Sequence, residues 1–484
     1  MADELVGFSK LPLELVAMII TFLSYFDAFR LCLVRKDWYR NNLWLRCGSI
    51  DLDETTFMYN SARYNFINIG RKTRAQELKR RGKLRFVDFL NRTMPQLVTP
   101  VMSRLNFRMC YAAQYQELID NLIKFAVAKR VANLSLDFSD GDPLLSMDPP
   151  PRSIFWRFEE RPSYVLPSCF FEDAKAIRIL NLTCCCLGVF NFKGFLRLTY
   201  LCLKRVNVSE DEVIHILKSC RLLDTLSLLD CRDLPRLEIY LPALRLKKLI
   251  VRDCSPLSLG IELLLPGLLY FEYAGRLVWF SLKNMTHLEE AVFDFPLDTT
   301  LPYYSQELKT FLCGFANVKI LSICTYAIKI LPSEYMEGPS YCKLLFAEHL
   351  TLKTRAEPIE TPGILCFLQN SPLLKTLTIL VFLPQRPKFT PSGQNRGYSE
   401  EAYYGMLEKS ETDSLDRLEE VEVYGFTGRY HEIELLKFIL RSSKSLSKLT
   451  VTAWISINPE YYSRATEEIM RAKVASESIV FTWR

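Results

Sequence analysis

Ile177-x-x-Leu180-x-Leu182, Leu198-x-x-Leu201-x-Leu203 and Leu223-x-x-Leu226-x-Leu228 repeat one short pattern, with apolar residues in its first, fourth and sixth places. It returns as Leu246-x-x-Leu249-x-Val251 and Leu268-x-x-Phe271-x-Tyr273, and the successive first residues lie 21, 25, 23 and 22 apart. Looser copies begin at Leu288, Val318, Ala347, Leu374, Leu418 and Leu446; Val131-x-x-Leu134-x-Leu136 comes early and Met102-x-x-Leu105-x-Phe107 opens the array. In extended chain, alternate residues point to one side, so each unit reads as a short strand with an inward apolar pair. One such strand buries little. Stacked strands form a parallel sheet whose other side is covered by the returning segments.

A step in the range of about 20–29 residues with this pattern is that of leucine-rich repeats. Each fully buried Leu or Ile contributes about 1.5–3 kcal/mol, enough over many units to sustain a long core. The fold class expected is α/β, a leucine-rich-repeat solenoid with a curved parallel sheet. Return segments such as Ser209–Leu217 read as helices, with Ser209 as cap and Glu212 completing a capping box. The repeats loosen after residue 288, and 383–414, rich in Pro, Gly, Ser and charge, reads as an excursion from the array.

The repeat also places several of the fifteen cysteines. Such repeats often carry Asn or Cys three residues beyond the last apolar position, where Cys185, Cys231 and Cys254 stand. Adjacent residues of a strand face opposite ways, so Cys184, Cys185 and Cys186 do not converge on one ion. An odd number of cysteines cannot all pair, and the four histidines, His215, His287, His349 and His431, are scattered. Reduced thiols, no metal and no cofactor are expected. No nucleophile with its base and no phosphate-binding glycine loop is found, so a non-catalytic protein is expected.

Composition agrees. Of 484 residues, 49% are hydrophobic and 24% charged, which excludes wholesale disorder. A net charge of +6 does not call for nucleic acid. No apolar run approaches the ~20 residues of a membrane-spanning helix, and the acidic start lacks a signal pattern. A soluble protein of cytoplasm and/or nucleus is the expectation.

Residues 8–45 stand apart, with 24 of 38 apolar. Pro12 suits a helix start, and Leu11, Leu15, Ile19, Phe22 and Leu23 follow at helical spacing. Asp27 can cap a second helix, along which Leu31, Val34 and Trp38 recur; Leu43, Trp44 and Leu45 suggest a third. Three short helices cannot hide so many apolar side chains among themselves. Either the excess forms an exposed patch for a protein partner, or the helices pack onto the rest of the chain.

The order Leu11-Pro12-Leu13-Glu14-Leu15, Ile19, Phe22-Leu23, Asp27, Arg30-Leu31, Val34, Lys36 and Trp38 resembles the F-box. The pair Cys32-Leu33 and Asp37 depart from it without touching the apolar stripe. Three later stretches extend the resemblance to plant F-box proteins with leucine-rich repeats and a C-terminal FBD region. These are Leu166 to Phe171, Ile216 to Leu226 (with Arg221 where proline is usual), and Leu418 to Leu449, which reads as strand, glycine turn, helix, strand.

The resemblance implies a small N-terminal three-helix F-box at 1–50. A basic linker at 51–95, the solenoid at 96–404, an FBD-like cap at 405–460 and a tail at 461–484 would follow. It also implies docking on a Skp-family adaptor and a cullin scaffold, with Leu11, Pro12, Leu15, Ile19, Leu31, Val34 and Trp38 carrying or bracing the contact. The protein would be the substrate-recognition subunit of an SCF-type ubiquitin ligase; a repeat scaffold acting outside degradation is the alternative. Residues flanking the inward pairs face the open sheet, and Asn181, Tyr200, Lys204, Lys248, Arg252, Tyr270 and Glu272 are candidates for gripping a protein substrate. Residues 71–85 hold eight basic residues and one acid, Glu77; this run reads as a solvated linker or as an import or nucleic-acid contact.

Overall fold

The structure, a computed structural model, describes residues 11–59, 72–99, 101–111, 113–139, 164–188, 191–283, 285–295, 314–315, 317–330, 346–382, 415–454, 458–476 and 478–484. The expected excursion at 383–414 lies outside them. The chain divides into two units, Met1–Leu234 and Pro235–Arg484.

The first unit opens with helices Leu13–Ile20, Tyr25–Cys32 and Lys36–Arg40 and a 3-10 turn, Leu43–Arg46. Pro12 is the residue before the first helix, as expected. The cap of the second is Ser24 rather than Asp27: Ser24 Oγ accepts from the Asp27 backbone N–H at 3.3 Å and donates to Asp27 Oδ2 at 2.7 Å. Asp27 sits one turn in, where its charge favours the helix N-terminus.

Strands Ser49–Asp53, Arg104–Arg108, Asn133–Asp137, Ile179–Thr183, Tyr200–Lys204 and Thr225–Leu229 then pair in parallel. Their register aligns Ile50, Leu105, Leu134, Leu180, Leu201 and Leu226, none more than 1% exposed. The inward pair expected of each repeat is thus the core of this unit. Helices Gln116–Ala128, Ser168–Asp173 and Glu210–Ser219 lie in the return segments. The Ser209 box forms as expected, with the Ser209 N–H donating to Glu212 Oε2 at 2.6 Å. Cys231 is buried and its thiol donates to the Leu203 carbonyl at 3.3 Å, tying one repeat to the one before it.

The ladder starts earlier than the expected boundary at 96. Cys47, Ile50 and Leu52 are themselves a repeat unit, all buried, and the segment read as linker holds the helix Lys72–Thr93. Side chains at 71–79 of the basic run lie outside the described residues. Beyond them, Lys83 donates to the Cys110 carbonyl at 2.6 Å and lies 3.8 Å from the buried Glu54 carboxylate, so it braces the first repeat.

In the second unit, strands Lys248–Arg252, Tyr270–Ala274, Glu290–Asp294, Ile320–Cys324, His349–Thr354, Thr376–Val381, Glu420–Phe426, Lys448–Ala453 and Val480–Trp483 pair in parallel. The first return segments here are strands, Leu237–Tyr240, Ile261–Leu264 and Phe280–Leu282, which form a second parallel sheet. Later ones are the helices Thr361–Gln369, Tyr430–Ser442 and Pro459–Met470. The strand, glycine turn, helix and strand expected at 418–449 are present. At the turn Gly425 has φ of 77°, and a Cβ there would stand 2.4 Å from the Val381 carbonyl oxygen. Residues expected as a tail instead supply most of the last helix and the closing strand. No helix of the described residues is long and apolar enough to cross a membrane.

Candidate functional site

Two surfaces collect the residues singled out from the sequence. The first is the outer side of the N-terminal helices. Val16, Ile20, Ala28, Cys32 and Trp38 are fully buried beneath it. The platform is fastened to the first repeat at several points. The Tyr25 ring meets Phe89 at 5.9 Å, Ser49 Oγ donates to the Leu23 carbonyl at 3.4 Å, and Thr99 Oγ1 donates to the Leu45 carbonyl at 3.4 Å. At Gly48 a Cβ would come within 1.8 Å of the Thr21 carbonyl oxygen, so only glycine allows the helices this close to the first strand.

The other side of the same helices is bare. Of the residues expected to carry adaptor contact, Leu15 is 44% and Val34 51% exposed, and Pro12 is exposed as well. Leu11, Ile19 and Leu31 are half-buried. Trp38 is a brace in the core, with the Arg35 guanidinium 5.2 Å from its ring centre. Sequence reasoning passed over Met18, Phe22, Phe26 and Leu33 as contact residues. They are all exposed, Phe22 to 82%, more than any other large apolar side chain among the described residues. Leu15 and Met18 stand at i and i+3 on the first helix, and Phe22 follows in the turn just beyond its end. Both outcomes left open by the sequence therefore occur: one face packs on this chain and the other is left uncovered.

The second surface is the sheet face formed by the residues between the inward positions. In the first unit, Asn181 lies in register between Ser135 and Cys202, Tyr200 between Ile179 and Thr225, and Lys204 between Thr183 and Leu229. All three are half-buried, and burial pushes the Tyr200 phenol above its ordinary range. In the second unit the four remaining candidates join in one cluster. Lys248 Nζ stands 3.8 Å from the centre of the Tyr270 ring, the Tyr270 hydroxyl donates to Glu272 Oε2 at 2.7 Å, and Arg252 Nε donates to Glu272 Oε1 at 2.5 Å. Glu272 is only 6% exposed. Burial first, then the Glu272 carboxylate, raises the Tyr270 phenol well above its usual range. The cluster is polar, ordered and mutually satisfied, so a ligand gripping it has to compete with partners already in place. Among the described residues no group of three His, Cys, Asp or Glu side chains could hold a metal ion, and the thirteen described cysteines are free.

Residues 101–479 match the family model described as "At1g61320/AtMIF1, LRR domain". Similar proteins from Arabidopsis thaliana cover much of the chain. One named "Putative F-box/LRR-repeat protein At1g56400" is 25% identical over 90% of this chain and 86% of its own length. The F-box protein At3g62230 is 24% identical over 79% and 81%, and the FBD-associated F-box protein At1g61320 is 22% identical over 58% and 61%. The parallel ladder and its buried leucines agree with a leucine-rich-repeat domain over these residues. With the repeat model spanning most of its length, this chain belongs to the At1g61320/AtMIF1 LRR-domain family of F-box/LRR-repeat and FBD-associated F-box proteins.

Proposed function

We propose that this protein is the substrate-recognition subunit of an SCF-type ubiquitin ligase, acting in cytoplasm and/or nucleus. Its N-terminal helices dock on a Skp-family adaptor joined to a cullin scaffold, and its sheet face holds a protein substrate. The carrying observation is that Leu15 and Met18 on the first helix, Phe22 just beyond its end, and Leu33 and Val34 are all exposed, over a core of Val16, Ile20, Cys32 and Trp38 that is fully buried. An uncovered apolar face on a rigid platform is the physical mark of a protein interface. The names of the similar proteins support the same reading. The protein itself performs no bond chemistry in this scheme. It raises the concentration of a substrate near a separate ubiquitin-transferring machine.

The test is co-purification of the full chain with a Skp-family adaptor. Leu15→Asp combined with Val34→Asp, both at exposed positions, should abolish it while leaving the thermal midpoint in place. Retained adaptor binding by the folded double variant would refute the docking surface. A scaffold acting outside degradation would bind adaptor equally well, yet its partners' half-lives would not lengthen when the protein is removed.

A further inference from the structure

Lys124, Arg130, Lys175 and Arg197 surround a cavity of about 860 Å³ in the first unit, on the side of the return helices. They come from four places: the helix Gln116–Ala128, the turn after it, the turn after the helix Ser168–Asp173, and the loop leading into the strand Tyr200–Lys204. All four are exposed, and among the described residues none has an ion-pair partner. Asp173 is the single acid in the lining. Some cations of this protein are paired, as in Arg205 with Asp230 at 3.0 Å and Lys283 with Glu262 at 2.7 Å, whereas these four meet around one hollow. Four unpaired cations against one carboxylate form a concentrated positive field over a hollow.

The walls narrow the choice of ligand. Leu196 is 59% exposed on the rim and Val127 is half-buried beside it, so an apolar side chain has a place to rest between the charges. Phe170, the one aromatic ring of the lining, is 0% exposed and offers no stacking platform for bases, which single-stranded nucleic acid usually requires. A small organic anion would be expected to sit largely enclosed by apolar walls, whereas here long exposed cations leave the hollow open. We infer that this cavity docks an acidic peptide segment of a partner protein. Carboxylates of the segment pair with Lys124, Arg130, Lys175 and Arg197 around an apolar residue seated against Leu196 and Val127. The inference does not depend on adaptor docking, because none of these residues belongs to the N-terminal helices.

The experiment uses the full chain and three fluorescein-labelled probes. One is a twelve-residue peptide of alternating acidic pairs and leucines, one its counterpart with the acids replaced by Asn and Gln, and one a single-stranded oligonucleotide of equal charge. Fluorescence anisotropy should give saturable binding of the acidic peptide that weakens as salt rises. The neutral peptide should bind at least about tenfold more weakly, as loss of several charge-assisted contacts implies. Lys124→Glu, Arg130→Glu, Lys175→Glu and Arg197→Glu together should remove binding, and Leu196→Ser alone should weaken it several-fold. Circular dichroism confirms that these surface variants fold, and retained adaptor co-purification shows that the ligase reading is untouched. No saturable binding of the acidic peptide, equal binding by the folded quadruple variant, or tighter binding of the oligonucleotide would each overturn the inference.

Discussion

In the strand Tyr200–Lys204, Leu201 and Leu203 are fully buried, and the residues on either side of them are half-exposed. In the helix Leu13–Ile20, Val16 and Ile20 are equally buried, yet Leu13, Leu15 and Met18 remain 37–55% exposed. Both stretches are rich in apolar residues, and they dispose of them differently. A strand has a period of two, so its apolar residues fall on one face, and a neighbouring repeat on each side completes the cover. A helix that is apolar around most of its circumference needs cover on every side. Here the first repeat supplies cover on one side only. The exposure of the helices is therefore a surplus of apolar residues and not a failure of packing.

That contrast can be tested by substitutions graded in their expected cost. The largest effect should come from within the ladder. Leu203→Ala removes a side chain with no exposed surface and should destabilise by about 2–5 kcal/mol in chemical denaturation. A cost below about 1 kcal/mol would mean the inward row is not the core. Next comes Glu272→Ala on the sheet face, which leaves the Tyr270 hydroxyl and Arg252 without their shared acceptor. Losing a buried acceptor costs about 1–3 kcal/mol, and the low end is expected because the Arg252 side chain is 34% exposed and can turn to water. A third comparison sets one cap against another. Ser209→Ala removes the hydroxyl half of a capping box, leaving the Ser209 N–H to Glu212 bond in place, and should cost about 1 kcal/mol. Ser24→Ala, whose cap is exposed, should cost less. Equal losses would show that the N-terminal helices rely on local capping as much as the ladder does.

Much of this architecture was legible because the repeat ties position to orientation. Leu180, Leu182, Leu226 and Leu228 could be placed inward from spacing alone, and all are 0% exposed. The opening strand was missed for a traceable reason. Its first apolar place is Cys47, and the Lys72–Thr93 helix separates it from the next unit, so no regular step pointed to it. The closing strand Val480–Trp483 does carry an inward pair, Phe481 and Trp483 in register with Leu449 and Val451, but Ser478 stands in the first apolar place of the pattern, so the unit went unread. The second sheet of Leu237–Tyr240, Ile261–Leu264 and Phe280–Leu282 carried alternation at Leu237 and Ile239 and at Ile261 and Leu263. That signal distinguishes a return strand from a return helix. On the candidate surfaces, the pattern could place Glu272 and its strand neighbour Tyr270 on the sheet face, but the contact of Glu272 with Arg252 depends on cross-strand register. The cations around the cavity come from segments distant in sequence, and no local pattern joins them.

The smallest expected effect on stability is the most informative about the helices. Phe22 is 82% exposed, so Phe22→Ser removes almost no packing and should change the unfolding free energy by no more than about 0.5 kcal/mol. If the bare patch is finished by another subunit, the same substitution should weaken adaptor affinity by at least about tenfold, or about 1.4 kcal/mol. A ladder leucine and Phe22 would then show opposite profiles, one costly to the fold and the other costly only to association. If Phe22→Ser instead lowered the unfolding free energy by about as much as Leu203→Ala, the ring would be covered by this chain's own residues in solution. The distinction between a finished ladder and an unfinished helical face would then fail at its most exposed residue.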